Sequence, residues 1–221
     1  MQFIYSKDAK NSIMNLSVRE YAHIFKVRRV KNEEILFFRN LKDDYIYRYK
    51  IVSIDKKSAI LELLDCKVLK IEAKKSLHIG WCVVDPKTIE KTLPFLNELG
   101  VSKISFVYCD FSQRNFKIDL ERINRILINS CQQCGRSSLM QIEILKNLQE
   151  FLKLYPDSKI IDFSENKLEK NSDFDSFLVG CEGGFSKAER ALFNKKNVVG
   201  FENSMILRSE TAVISVVILN S

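Results

Sequence analysis

The segment from Val179 to Ser186 (Val-Gly-Cys-Glu-Gly-Gly-Phe-Ser) carries the strongest indication of ligand-binding chemistry in this sequence. An apolar run ends at Val179, two adjacent glycines follow, and Ser186 and Glu189 have the spacing of a capping box that starts a helix. Glycine adopts positive φ at little cost and lets a ligand approach the backbone closely, and ligands of α/β sheets bind beyond the carboxyl ends of strands. The segment therefore predicts a ligand-binding loop or, as the alternative, a tight strand-to-helix turn without a ligand. It is neither a dinucleotide fingerprint nor a phosphate loop, because G-x-G-x-x-G and G-K-[ST] are absent.

Two other segments place an arginine where it can meet an anion. Residues 133–137 (Gln-Cys-Gly-Arg-Ser) put Arg136 directly after a predicted helix, and residues 204–212 (Ser-Met-Ile-Leu-Arg-Ser-Glu-Thr-Ala) contain Arg208. Each signal is weak by itself, because a cation beside the end of a helix can simply stabilise the helix dipole.

The pair Cys131 and Cys134 forms a CxxC, which is typical of a redox pair or of half a zinc site. A closed zinc site needs four ligands, whereas the sequence has no second CxxC and its histidines are His23 and His78. We therefore expect two ordinary thiols and no metal. No signal peptide is visible, so the six cysteines are expected to be reduced and mostly buried.

The C-terminal two thirds of the chain must position these segments, and its pattern alternates strands with helices. Strands are predicted at 77–84, 103–108, 159–163, 177–180 and 197–201. Helices are predicted at 86–99, at 119–134 and from Ser186 onward. This alternation predicts a parallel sheet with helices on both faces. Residues 211–219 are rich in Val and Ile, and propensity alone favours a strand there.

The first sixty-odd residues have the pattern of a small strand-rich unit. Strands are predicted at 3–5, 35–39, 45–54 and 59–64. A capping box at Ser17 and Glu20 predicts a helix that runs to about Val27. A small barrel-like module fits this pattern. The charged stretch 66–76 is the predicted linker, which gives domains at 1–68 and 75–221.

The charge balance favours a polyanionic partner, although a basic protein without such a partner is an equal alternative. Lys and Arg exceed Asp and Glu by 35 to 28, for a net charge of +7 and a pI near 9.0. Candidate phosphate contacts, each of which can also be an ordinary surface charge, are Lys26, Arg28, Arg29, Lys31 and Arg114. No apolar stretch approaches the length of a membrane span, so we expect a soluble cytoplasmic protein that does not bind membranes.

Taken together, the three segments resemble the RsmE family of ribosomal RNA methyltransferases in the SPOUT superfamily. The family motif I-G-P-E-G-G-[FL]-S-x-x-E is matched at 179–189, with Cys181 where proline is usual. The family segment E-Q-S-x-R is matched at 132–136, with Gln132 in place of glutamate.

The third match is to the family ending L-G-x-R-[IV]-L-R-x-E-T-A. Residues 206–212 match it closely, while Asn203 and Met205 replace the usual glycine and arginine. Asn tolerates left-handed backbone, so Asn203 can keep the loop shape, but Met205 cannot replace a charge. The resemblance extends to Glu98–Val101 and to 23–29, and so spans nearly the whole chain.

The resemblance implies an α/β protein with an N-terminal PUA-like β-barrel that binds RNA and a C-terminal SPOUT α/β domain with a deep trefoil knot. General rules of chain connection would not predict a knot. The resemblance also implies that residues 211–219 form a helix against the cofactor loops, in conflict with their strand propensity. Members of the family act as homodimers, in which the partner subunit completes the active site.

The implied reaction is methylation by S-adenosylmethionine at N3 of one uridine in 16S ribosomal RNA of the small ribosomal subunit. Backbone groups would hold the cofactor, and Ile206 and Leu207 would form an apolar wall for its adenine. The candidate cofactor-binding residues are Gly180, Glu182, Gly183, Gly184, Ser204, Ile206 and Leu207.

Uridine N3 carries a proton and is a poor nucleophile until that proton is lost, so a base or a cation that stabilises the ring anion is expected. Arg208 and Arg136 are candidates for the cation or for holding a phosphate. Glu182 is a possible base, although a role in orienting the loop is preferred. N3 lies on the Watson–Crick edge, so the target base must be unpaired or extruded.

Two other functions remain open from the sequence. A SPOUT methyltransferase can act on another RNA, such as a transfer RNA base or a 2′-hydroxyl, although the N-terminal barrel and the Ile-Leu-Arg-Ser-Glu-Thr-Ala ending argue against this. A non-catalytic RNA-binding or ribosome assembly factor would use the same basic barrel, but the glycine pair and Arg208 favour an active enzyme.

Overall fold

The computed structural model describes residues 2–27, 34–113, 115–170, 173–202 and 204–221, which divide into two compact units. The first unit comprises Met1–Glu72 and Cys131–Leu139, and the second comprises Ala73–Ser130 and Met140–Ser221. The division at residue 72 falls inside the charged stretch between the predicted domains 1–68 and 75–221. The first unit also includes 131–139, which the sequence had assigned to the C-terminal domain.

In the described part of the first unit, five strands form one sheet in the order β1-β3-β4-β5-β2. Their bounds are β1 Ile4–Tyr5, β2 Ile13–Asn15, β3 Leu36–Arg39, β4 Tyr45–Ile54 and β5 Ala59–Val68. β1 runs parallel to β3, and the other pairings are antiparallel. The long β4–β5 hairpin shifts register after Arg48 and after Ile51, and such bulges bend a sheet. The sheet packs on a buried core that includes Ile24, Phe38, Tyr49 and Leu61.

The capping box predicted at Ser17 is confirmed. The Ser17 hydroxyl accepts from the Glu20 amide at 3.3 Å, and the Ser17 amide donates to the Glu20 carboxylate at 2.8 Å. Helix α1 (Val18–Tyr21) starts there and continues as a π-helical turn over Ala22–Val27. Lys26 lies on that turn and is exposed. The other predicted phosphate contacts, namely Arg28, Arg29, Lys31 and Arg114, lie outside the described residues.

In the second unit, the described strands form a sheet in the order β11-β9-β10-β6-β7-β8, with every pairing parallel. The strand bounds are β6 Leu77–Cys82, β7 Val101–Val107, β8 Gln141–Leu145, β9 Lys159–Ile161, β10 Ser176–Val179 and β11 Val198–Val199. Parallel strands are covered on both faces, which explains why β6 and β10 are mainly apolar and largely buried. The predicted parallel sheet is confirmed, whereas the sequence had not predicted β8.

Helices α2 Pro86–Glu98, α3 Leu120–Cys134, α4 Leu148–Leu154, α5 Lys187–Arg190 and α6 Ser209–Asn220 complete this description. Helix α2 has the ends that its sequence predicts. Asp85 caps it by accepting from the Thr88 amide, Pro86 stands in its first turn, and Gly100 follows with φ of +90°. None of the helices in the described ranges is long and apolar enough to cross a membrane.

Helix α6 overturns the strand that propensity favours at 211–219 and agrees with the family resemblance. Its buried face includes Ala212, Val213, Val216 and Val217, and it packs against α2, β6 and β10. Burial on this face stabilises the helix, which outweighs the small intrinsic preference of β-branched residues for strands.

The expectation that the cysteines are reduced is wrong for two of them, because Cys82 and Cys109 are joined by a disulfide. Cys82 ends β6 and Cys109 follows β7. These strands are parallel neighbours, so the two Cα atoms lie 5.9 Å apart at the same edge of the sheet. Cys131 and Cys181 are buried and are not joined by a disulfide.

Candidate functional site

A cavity of about 460 Å³ opens at the carboxyl ends of β9, β10 and β11 in the second unit. Parts of the segments 161–167, 179–185 and 200–212 line it, together with Arg190. Its volume is in the range of sites that bind a nucleoside-sized molecule. The glycine segment and the segment that precedes α6, which the sequence identified separately, therefore share one cavity.

The glycine loop owes its shape to residues without a Cβ atom. Gly184 has φ of +68° and its amide donates to the Cys181 carbonyl at 2.9 Å, which folds the loop back on itself. A Cβ atom on Gly180 would lie 3.2 Å from the Gly184 Cα atom. Side chains at these positions would therefore strain the backbone or fill the space where a ligand can approach it.

Cys181 stands where the resembling family usually has proline. Its side chain is buried, and burial raises the pKa of the thiol above its ordinary value. A neutral, small side chain at this position is compatible with the tight turn to Gly184.

The first turn of α6 is tied to the glycine loop through Ser209. The Ser209 hydroxyl donates to the Gly180 carbonyl at 2.5 Å and accepts from the indole nitrogen of Trp81 at 2.8 Å. All three residues are buried. Sequence reasoning missed Ser209 as a site residue, because its partners are distant in the chain and a serine at the start of a helix is unremarkable.

The charged side chains on the cavity wall include an ion pair between Arg190 of α5 and Asp162 after β9. The guanidinium donates two hydrogen bonds, from Nε to Oδ2 at 2.6 Å and from the terminal nitrogen to Oδ1 at 3.0 Å. These bonds raise the pKa of Arg190 above its ordinary value. The pair links two cavity-lining segments, and no sequence motif had indicated it.

Most of the predicted cofactor-binding residues line this cavity, namely Gly180, Glu182, Gly183, Gly184, Ile206 and Leu207. Ser204 is exposed and is not among the described residues that line it. Ile206 is 81% exposed, so an apolar side chain stands at the cavity mouth in contact with solvent. Asn203, where the family usually has glycine, lies outside the described residues.

The predicted catalytic residues have three different environments. Glu182 is exposed on the glycine loop. Arg208 is the N-cap of α6, and its side chain is 84% exposed, with one terminal nitrogen 4.0 Å from the Glu210 carboxylate. Arg136 belongs to the first unit, where it is 7% exposed, and burial lowers its pKa below the ordinary value for arginine.

Comparison with known proteins finds RNA methyltransferases that are similar to this chain along nearly its whole length. A family model described as an RNA methyltransferase domain matches residues 72–220, and one described as an RNA methyltransferase PUA domain matches residues 16–64. The ribosomal RNA small subunit methyltransferase E of Helicobacter pylori is 44% identical over 220 residues, which cover 98% of this chain and 97% of that protein.

The chain belongs to the ribosomal RNA small subunit methyltransferase E family.

A more distant relative with the same name, from Aquifex aeolicus, is 29% identical over 98% of this chain and 97% of its own length. Among solved structures, the methyltransferase E of Neisseria gonorrhoeae bound to S-adenosyl methionine has a TM-score of 0.81 at 21% identity. The alignment covers 99% of this chain and 95% of that one. A probable rRNA-methyltransferase from Porphyromonas gingivalis has a TM-score of 0.81 at 23% identity, with 99% and 95% covered. These likenesses establish the fold of methyltransferase E, with its PUA-like first unit and α/β second unit.

Proposed function

We propose that this methyltransferase transfers a methyl group from S-adenosylmethionine to N3 of one uridine in the 16S ribosomal RNA of the small subunit. The observation that carries the proposal is the shared cavity of the glycine loop and residues 205–207, in a chain that belongs to this family. Relatives named ribosomal RNA small subunit methyltransferase E, which are 44% identical along nearly the whole chain, support the small-subunit RNA as the substrate. The match to the family motifs supports N3 of a uridine as the acceptor.

A bent sulfonium nucleoside would occupy this cavity. Gly183 and Gly184 present backbone without side chains, and Ile206 and Leu207 offer apolar surface for an adenine ring. We assign cofactor contacts to Gly180, Glu182 and Ser204 as well. Ser204 directly precedes Met205, which lines the cavity, and from there it would contact the cofactor.

S-adenosylmethionine supplies a methyl group that the adjacent sulfonium already activates. The residues of the chain therefore have to orient the reactants and to stabilise charge on the acceptor. Arg208, with its exposed guanidinium beside the cavity-lining residues Leu207 and Ser209, would stabilise the ring anion of the deprotonated uridine. Glu182 is exposed on the loop and would orient it or accept the proton from N3.

Arg136 is proposed for the same stabilising role or for holding a phosphate, because it matches the family segment at 132–136. Burial lowers the pKa of Arg136, and the nearby carboxylate of Glu72 acts in the opposite direction. A guanidinium presents its donors in one plane, which suits recognition of a planar anion.

We propose that the enzyme works as a homodimer whose partner subunit completes the active site. Helices α2 and α6 pack together, and each exposes a large apolar side chain, Phe95 on α2 and Ile218 on α6. Exposed apolar residues on adjacent helices favour burial against a second subunit.

RNA binding is assigned to the first unit and to Arg114. The PUA match at 16–64 contains the run from Lys26 to Lys31, and the net charge of +7 favours association with a polyanion. The substrate implies that the enzyme acts in the cytoplasm. These basic side chains would bind phosphates rather than bases. They would therefore raise the affinity for RNA without selecting the nucleotide that is methylated.

Mass spectrometry of ribosomal RNA tests the proposal. Small subunits from cells that lack the gene are incubated with the purified protein and S-adenosylmethionine, and nucleosides are analysed before and after. We expect one added methyl group at N3 of a uridine in 16S RNA. A methyl group on a 2′-hydroxyl, or on transfer RNA in a parallel reaction that contains transfer RNA instead of small subunits, would refute the target. Failure of the protein to bind S-adenosylmethionine by calorimetry would indicate a non-catalytic assembly factor instead.

A further inference from the structure

The carboxylate of Glu189 joins two segments that are far apart in the sequence. It stands in the first turn of α5 and is 4% exposed. Its Oε2 atom accepts from the Ser186 amide at 2.9 Å, which completes the capping box. Its Oε1 atom accepts from the Asp110 amide, also at 2.9 Å. The bond from the Ser186 amide is enough to complete the cap of α5. The bond from the Asp110 amide is not part of the cap, and it ties the helix to a distant segment.

Asp110 belongs to a tight turn that follows β7. The Ser112 amide donates to the Cys109 carbonyl at 3.0 Å, and the Cys109 amide donates to the Ser112 hydroxyl at 3.2 Å. The Ser186 hydroxyl donates to the Asp110 carboxylate at 2.5 Å, beside the bond from the Asp110 amide to Glu189. The turn 109–112 is therefore fastened to the start of α5 at one residue by two bonds.

The same turn packs directly on the glycine loop. A Cβ atom built on Gly183 would lie 3.1 Å from the Cβ atom of Phe111, so Phe111 covers the backbone of Gly183. Gly183 and Glu182 line the cavity. The distance between Glu189 and Asp110 thus sets how closely the turn approaches the loop that borders the reaction site.

We propose that Glu189 is a positioning residue for methyl transfer, which acts by holding turn 109–112 against Gly183. The proposal rests on the proposed function, because the rate concerned is that of RNA methylation. Because Phe111 of this turn lies against Gly183, a shift of the turn would move the loop that borders the cavity. The glycine loop itself is held by Ser209 and by its own bond from Gly184 to Cys181, which do not depend on Glu189.

The test compares Glu189→Gln with the wild type. Glutamine keeps the volume and one carbonyl oxygen, but its amino group cannot accept the second backbone amide. We expect kcat at saturating RNA and cofactor to fall by about 10- to 100-fold, as misplacement of groups near a reaction centre does. The dissociation constant for S-adenosylmethionine, measured by calorimetry, should stay within about 3-fold. Hydrogen exchange at the Asp110 amide should accelerate.

The matched control is Glu150→Gln. Glu150 occupies the same position in the first turn of α4 and accepts one backbone amide, from Lys146 at 2.9 Å, but is not among the described residues that line the cavity. Its kcat should equal that of the wild type. If Glu189→Gln fails to fold, Phe111→Ala is the second variant. It removes the contact with Gly183 and leaves the Glu189 carboxylate and both its hydrogen bonds in place. Its kcat should also fall, because the turn 109–112 is no longer held against Gly183.

The outcomes are distinguishable. A wild-type protein that methylates no RNA refutes the proposed function. An active wild type with unchanged kcat in Glu189→Gln, or in Phe111→Ala where the first variant does not fold, refutes the positioning role alone. Equal losses of kcat and of cofactor affinity would also overturn it, because they would mean that Glu189 merely supports the glycine loop. Slower transfer with intact cofactor binding supports the proposal.

Discussion

The Ser209 hydroxyl donates a 2.5 Å hydrogen bond to the main-chain carbonyl of Gly180, across 29 residues of sequence, and accepts another from Trp81. This relationship joins the first turn of α6 to the loop that borders the cavity. One buried hydroxyl therefore helps to hold the loop of the proposed cofactor site in place.

Replacing Ser209 by alanine should therefore affect both stability and cofactor binding. Trp81 loses an acceptor and Gly180 loses a donor in a buried setting, which should cost about 1–3 kcal/mol of unfolding free energy. Urea denaturation measures that loss, and calorimetry with S-adenosylmethionine should show weaker binding. Ser215→Ala, on the same helix, is the control and should change stability by no more than about 0.5 kcal/mol. Equal behaviour of the two variants would contradict the role of Ser209.

Gly184→Ala should weaken cofactor binding beyond its effect on folding. The position has φ of +68°, and an L side chain there costs about 1–2 kcal/mol. Because Gly184 lines the cavity, the strain should also move the backbone that contacts the cofactor. Gly100→Ala is the matched comparison, since Gly100 also has positive φ but is not among the described cavity residues. The folded Gly100→Ala protein should bind S-adenosylmethionine normally. If both variants bind normally, the glycine loop is not the cofactor site.

Arg208→Gln should slow methyl transfer without weakening cofactor binding. The guanidinium is exposed and 4.0 Å from Glu210, so its removal disturbs little of the fold. If it stabilises the ring anion in the transition state, kcat should fall by about 100-fold or more. Single-turnover methylation of RNA measures this, with calorimetry as the check on the cofactor. Arg122→Gln, which removes a surface ion pair with Glu90, should leave kcat unchanged. Wild-type turnover in Arg208→Gln would exclude Arg208 from catalysis.

The stability of the protein should fall as the pH drops from about 6.5 toward about 4, in part because of His78. Burial, and next the charge of Lys103, lower the pKa of His78 to about 4 in the folded state, against an ordinary value of 6.5. Between these values the unfolded chain binds more protons, so stability is lost as the pH falls. The effect is on the order of 2 kcal/mol after allowance for solvent screening.

His78→Gln tests this by chemical denaturation over the same pH range. The variant should be less stable near neutral pH, because the ring nitrogens lie within hydrogen-bond distance of Ser105 and Ser176. Its stability should nevertheless depend less steeply on pH between 6.5 and 4. An unchanged slope in His78→Gln would show that another group accounts for the acid sensitivity.

The sequence by itself determined the features that depend on near neighbours. The bounds of β4, the capping boxes at Ser17 and Ser186, and the proline start and glycine stop of α2 follow from contacts within a few residues, and the structure has them. The glycine loop could be found in the same way, because its conformation is fixed by residues that are adjacent in the chain. The match of whole motifs then indicated the family, which the comparisons confirm.

Only the tertiary structure decided which distant segments meet. Propensity misassigned α6, because its helical state is stabilised by burial against α2, β6 and β10 rather than by its own residues. Strands β2 and β8 and helix α4 were missed, since short segments carry too little local preference. The bonds of Ser209 to Gly180, Arg190 to Asp162 and Glu189 to Asp110 join residues 28 to 79 positions apart. Such contacts depend on the order of strands in the sheet, which brings together chain segments that local interactions leave unrelated.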